Sequence, residues 1–128
     1  MKIYLDIDGV LLTKTGEPAT GLLDFLKRVT KHDCYWLTTH CKDDSADYAL
    51  AHLSQKLPKE TFEYIHKIKP NKWGTLKTEG IDFTSDFLWF DDTLFQSEKA
   101  VLRQNKALNS FRLIDLRKYP DQLLKELI

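Results

Sequence analysis

Cysteine is scarce in this chain. Only Cys34 and Cys41 occur among 128 residues, too few for a disulfide framework and not spaced as a CxxC pair, so a reducing interior is expected. Cys34 falls in a strand pattern and is expected to be buried; Cys41 follows a loop and is expected to be more exposed. No sign of charge predominates: 19 basic residues face 19 acidic ones. That balance argues against a strongly basic nucleic-acid binder and makes no case for a polybasic membrane anchor. No apolar run approaches the ~20 residues that span a bilayer. The first residues enter a strand pattern with no apolar segment behind basic ones, so a cytoplasmic location with no membrane partner is the expectation. Repeats, low-complexity tracts and interdomain linkers are missing too. What is present is 42% hydrophobic and 12% aromatic residues, enough for one core in one domain over residues 1–128.

Strand and helix patterns alternate along the chain. Residues 2–7 read as a strand and 10–19, with Gly16 and Pro18, as a loop or small hairpin. Thr20 can cap a helix whose apolar face is Leu22, Leu23, Phe25, Leu26 and Val29. Residues 33–38 read as a second strand and about 43–56 as a helix that Pro58 ends. A weaker strand is expected at 61–65 and a short helix from Lys72 to Thr78, with Gly80 as its stop. Residues 86–90 read as a strand, about 94–105 as a helix with Phe95, Val101 and Leu102 inward, and 110–115 as a strand. Pro120 opens a last helix. Such βαβα alternation predicts an α/β fold: a three-layer sandwich with a mainly parallel sheet of about five strands.

Two of these strands end in acid pairs. Asp6-Ile7-Asp8-Gly9 leaves the first apolar run, and Asp91-Asp92 ends the run Asp86–Phe90. Open α/β sheets place their ligands at the carboxyl ends of strands. Four carboxylates at one sheet edge repel: two unit charges ~4 Å apart cost ~4 kcal/mol at an effective dielectric near 20. Mg²⁺ relieves this, because it prefers hard oxygen ligands and commonly binds carboxylates together with phosphate oxygens. Acid pairs also occur at strand ends simply as turn formers, and Asp91-Asp92 alone is as consistent with that role. Thr38-Thr39-His40 ends the second strand, where a hydroxyl and free backbone N–H groups can hold a phosphoryl oxygen. Lys72, after Pro70-Asn71, is the candidate for neutralising the remaining phosphate charge, with Lys69 the alternative; an ordinary solvated lysine is the commoner fate of either. His40 would reach the substrate rim or lie as a plain surface residue. His32, His52 and His66 lack metal-like spacing. Trp36 and Trp89 are expected in the core, and Trp73 in helix packing.

In the order Asp6-Ile7-Asp8-Gly9-Val10, Thr38, Lys72, Asp91-Asp92, the chain resembles the haloacid dehalogenase-like (HAD) superfamily of phosphohydrolases, from residue 2 to about 115. The resemblance implies a Rossmann-like fold and Mg²⁺-dependent phosphoryl transfer through an aspartyl-phosphate. By position, Asp6 would be the nucleophile and Asp8 the general acid and base. Thr38 would bind phosphate, and Lys72 would steady the nucleophile and the transferring group. Asp6, the Asp8 carbonyl, Asp91 and Asp92 would hold the metal. Gly9, Thr39 and His40 would border the substrate. The fourth motif is Asp-Asp rather than the family's Gly-Asp with a later Asp, so either acid could touch the ion directly, and Thr39 competes with Thr38.

Many members of that family insert a cap domain after the first or second motif. Here about ten residues separate Val10 from the first helix, and about thirty separate Thr39 from Pro70. The resemblance therefore implies a capless, open site. Such a site suits a bulky or macromolecular phosphorylated substrate, or a partner subunit that completes it. The alternatives are a catalytically silent HAD-fold binding or regulatory domain and, ranked last, a phospho-accepting receiver domain.

Overall fold

A computed structural model describes residues 1–128. It contains four strands and five α-helices in the order β1 (Lys2–Leu5), α1 (Leu22–Val29), β2 (Asp33–Trp36), α2 (Asp47–Ser54), α3 (Phe62–Ile65), β3 (Phe87–Asp91), α4 (Gln96–Gln104), β4 (Phe111–Leu113) and α5 (Gln122–Lys125), with 3₁₀ turns at Lys59–Thr61, Lys77–Gly80 and Leu108–Ser110. The strands form one all-parallel sheet in the order β2-β1-β3-β4. No helix is long and apolar enough to cross a membrane.

The alternation of side chains along parallel strands divides the core in two. Ile3, Leu5, Cys34, Trp36, Leu88 and Phe90 face one side, where they meet Phe25 and Val29 of α1, Ala49 and Leu53 of α2, Ile65 of α3 and Leu123 of α5. Tyr4, Phe87 and Trp89 face the other, with Leu102 of α4, Trp73 and Ile81. The sheet is therefore covered on both faces. Leu22, Phe25, Leu26 and Val29 repeat at the spacing of one helical stripe and are all buried; the Phe25 ring meets Phe90 edge-on at 5.3 Å.

The expected fifth strand is not formed. Thr61, Ile65 and Ile68 are the buried residues of that stretch, at intervals of four and three, so burial on one helical face overrides the strand propensity of Thr, Phe, Tyr and Ile. The outer edge of β2 gains only one rung, at Lys69, whose N–H donates to the Cys34 carbonyl and whose carbonyl accepts from Trp36 N–H, both at 2.9 Å.

Other boundaries shift by local chemistry. Helix α1 starts after Gly21 rather than at a Thr20 cap, because Gly21 has φ +74° and Leu124 lies 2.3 Å from where its Cβ would be. The helix expected from Lys72 is absent. Trp73 turns inward there, its indole N–H donating to the Thr38 and Cys41 carbonyls at 3.2 and 3.1 Å, and only Lys77–Gly80 coils. Phe95 is 61% exposed rather than inward, and Cys41 is buried rather than exposed. Residues 10–19 form the small hairpin, with Leu12 pairing antiparallel to Pro18.

Candidate active site

Strand β1 has β2 on one side and β3 on the other, so the strand order reverses at the β1/β3 boundary, where parallel sheets leave a crevice beyond their carboxyl ends. Asp6 and Asp8 follow β1 and Asp91 ends β3. Asp6, Asp91 and Asp92 each place a carboxylate oxygen within 4.8 Å of the others. The neighbouring cavity of about 190 Å³ is lined by Asp6, Thr39, Lys77, Asp91 and Asp92 among others.

The lysine of this cluster is Lys77, not Lys72 or Lys69. Its Nζ lies 2.7 Å from Asp91 Oδ2 and 3.3 Å from Asp6 Oδ2. Lys72 is exposed. Lys69 pairs at 2.6 Å with Asp33, the first residue of β2 and hence at the opposite end of the sheet. Lys77 reaches the acids because the 3₁₀ turn that carries it is anchored on α4. Buried Glu98 accepts the Lys77 backbone N–H through Oε2 (3.2 Å) and the Phe95 N–H at the start of α4 through Oε1 (3.1 Å). Glu98 is a site residue that sequence reasoning missed. The signal available for it was a glutamate three residues into a helix, which reads as ordinary capping.

Burial, reinforced by the charge of Asp6, raises the Asp91 carboxyl to about 8 despite its contact with Lys77. Burial opposes the charge on Lys77, but Asp6 and Asp91 outweigh it and hold the ammonium above its ordinary value. Asp92 is opposed by burial as well, yet is held below the ordinary carboxylate value chiefly by a hydrogen bond from Lys14, whose Nζ reaches Asp92 Oδ2 at 2.6 Å from the hairpin. Gly9, at φ +84°, lets the chain pass so close to Asp92 that a Cβ would lie 2.3 Å from its Oδ2. Three carboxylates thus face two ammonium groups. Fully ionised, the cluster retains one negative charge, which either the Asp91 proton or an added cation removes. The donors are all hard oxygens, a set that fits a hard divalent cation such as Mg²⁺.

Of the two threonines, Thr38 is buried and its Oγ1 accepts the His40 N–H at 3.3 Å. Thr39 is the exposed one and lines the cavity. Asp8 stands apart from the acid cluster. His40 Nε2 lies 2.8 Å from its Oδ2 and His52 Nε2 lies 3.3 Å from its Oδ1. Burial works to raise the Asp8 carboxyl, but the two imidazoles hold it below its ordinary value. His52 comes from α2, and its contact with Asp8 is invisible in the chain because eleven residues, including a loop, separate it from His40. Comparisons with protein-family models, curated proteins and solved structures find nothing that matches this chain.

Proposed function

We propose that the protein is a capless, HAD-type phosphatase with a Rossmann-like domain, hydrolysing a phosphomonoester with Mg²⁺ through a phosphoryl group carried on Asp6. The observation that carries this reading is the convergence of Asp6, Asp91 and Asp92 with the Lys77 ammonium at the carboxyl edge of the sheet. Asp6, the Asp8 carbonyl, Asp91 and Asp92 would hold Mg²⁺, whose charge would offset that of the phosphoryl oxygens.

A carboxylate oxygen of Asp6 forms the new bond to phosphorus as the bond to the leaving oxygen breaks, splitting one hard displacement into two easier ones. Ile7 N–H, donating to Asp6 Oδ1 at 2.8 Å, fixes the plane of that carboxylate. Lys77 Nζ neutralises charge beside the nucleophile and aligns it. Thr39 offers a hydroxyl to a phosphoryl oxygen, and the Thr38 hydroxyl keeps the turn beneath it in shape. Asp8 gives a proton to the leaving oxygen and later takes one from the attacking water; such catalysis is typically worth ~10²–10⁴-fold. His40 and His52, hydrogen-bonded to Asp8, can resupply that proton.

Only a hairpin lies between Gly9 and α1, and only short helices and turns lie between β2 and β3. The crevice is open, which suits a macromolecular phosphorylated substrate or a partner subunit that covers it. A reducing, cytoplasmic setting fits the two unpaired cysteines.

The test is hydrolysis of a generic aryl phosphate with Mg²⁺, abolished by Asp6→Asn, followed by a panel of phosphometabolites and phospho-oligonucleotides. One observation favours a second reading: both Asp8 oxygens are engaged by imidazoles, as in a silent binding domain. Mg²⁺ binding without turnover on any panel member would favour that alternative.

A further inference from the structure

The Asp8, His40 and His52 cluster is a different kind of site from the acid cluster beside it. Its donors are two imidazole nitrogens and one carboxylate, all within 4.8 Å of one another, and they come from the turn after β1, the turn after β2, and α2. Two nitrogens and one carboxylate suit a borderline transition metal, whereas oxygen-only sets suit Mg²⁺. We propose that Asp8, His40 and His52 form a second, transition-metal site of the Zn²⁺ class, and that occupation of this site switches the phosphatase off. The inhibitory consequence rests on the reading of Asp8 as the general acid; the binding site itself does not.

The geometry is close to what such an ion needs. Zn²⁺ binds nitrogen at about 2.0–2.1 Å and carboxylate oxygen at about 2.0–2.2 Å. The two Nε2 atoms already lie 2.8 and 3.3 Å from the oxygens of one carboxylate, and binding a common ion requires the two rings to tilt out of their near-parallel stack so that both nitrogen lone pairs converge. The rings are stacked at 4.0 Å between centroids and 15° between planes. A metal ion takes imidazole in its neutral form. A neutral ring that moves its proton from Nε2 to Nδ1 turns a hydrogen-bond donor into a metal ligand without losing a proton overall. Asp8 has a side chain 55% exposed to solvent, which leaves an entry path and coordination positions for water or a phosphate oxygen.

Occupation would remove Asp8 from proton transfer. Its carboxylate would be a ligand rather than an acid, and the imidazoles that can resupply its proton would be ligands too. Mg²⁺ at Asp6, Asp91 and Asp92 would not compete for nitrogen donors. The two ions are therefore expected to act at separate positions, one activating and one inhibiting.

The experiment is calorimetric titration of Zn²⁺ into the full chain under excess Mg²⁺, for wild type, His52→Gln and His40→Gln. Thermal melts check that each variant is folded. The expected result is one Zn²⁺ per chain in wild type, weakened in each variant by more than the ~10–100-fold that loss of an outer-sphere partner costs. Proton NMR of the imidazole ring resonances should show His40 and His52 responding to Zn²⁺ while His32 and His66 do not. If Zn²⁺ binds equally well to both folded variants, or does not bind under excess Mg²⁺, the site is refuted. In a parallel turnover assay, Zn²⁺ should inhibit wild type and leave the residual activity of His52→Gln unaffected. Histidine-dependent binding to a protein that turns over no phosphoester would keep the site and reject the phosphatase. Full turnover by wild type with Zn²⁺ bound would reject the switch.

Discussion

Replacing Lys77 with Met would remove the ammonium that Asp6 and Asp91 share while keeping a side chain of similar length. All three partners are shielded: the side chains of Lys77, Asp6 and Asp91 are 14%, 11% and 1% exposed. Removing one partner from such a buried set typically costs ~3–5 kcal/mol, because the remaining charge is left uncompensated. Asp91 already tends to hold a proton, with its carboxyl raised to about 8, so the lower end of that range, ~3 kcal/mol, is expected at pH 7. Urea unfolding followed by tryptophan fluorescence measures it, since Trp36 and Trp89 are fully buried and report directly on the core. The gap from wild type should narrow as pH falls below about 8, where Asp91 takes up its proton and no longer needs the ammonium. Mg²⁺ should bind the variant at least as tightly as wild type, since Lys77 no longer occupies the same oxygens. At about a hundred times its dissociation constant, it should return ~2.7 kcal/mol. A loss below ~1 kcal/mol with no effect of Mg²⁺ on the urea midpoint would refute the shared-charge account of the cluster.

Three further outcomes follow from named contacts. Gly9→Ala should lose at least the ~1–2 kcal/mol that a left-handed residue costs with a side chain, and should weaken Mg²⁺ binding by displacing Asp92; an unchanged Mg²⁺ affinity in isothermal titration would argue against Asp92 as a ligand. Phe25→Ala, at a fully buried ring packed on Phe90, should cost ~3–5 kcal/mol in chemical denaturation. Metal-free wild type should lose stability as pH rises from about 4 to 8, because folded Asp91 keeps a proton across that window that the unfolded chain releases. Asp8 and Asp92 are held below their ordinary value of 3.8, so their stabilisation is present above that value and is lost only as pH falls below it. Excess Mg²⁺ should flatten the Asp91 slope, and a pH series of thermal melts with and without the ion reads it.

Much of this was legible in the chain. The alternation of apolar runs announced a parallel α/β sheet, because each buried strand and each amphipathic helix carries its own period. The two acid pairs were legible for the same reason: they stand at the ends of strands, and parallel strands share one carboxyl edge. Other features depended on contacts between distant segments. Residues 61–65 have the composition of a strand, but the surface available to them buries one helical face. Lys77 rather than Lys72 meets the acids because Trp73 turns under the Thr38–Cys41 turn and Glu98 anchors the 3₁₀ turn from α4. His52 reaches Asp8 only through the docking of α2. Local periodicity determined the four strands, the longer helices and the carboxyl edge where the acids gather. Tertiary packing alone decided which lysine and which histidines join them, because a side chain's neighbours across space are set by where whole elements dock, and spacing along the chain carries no record of that.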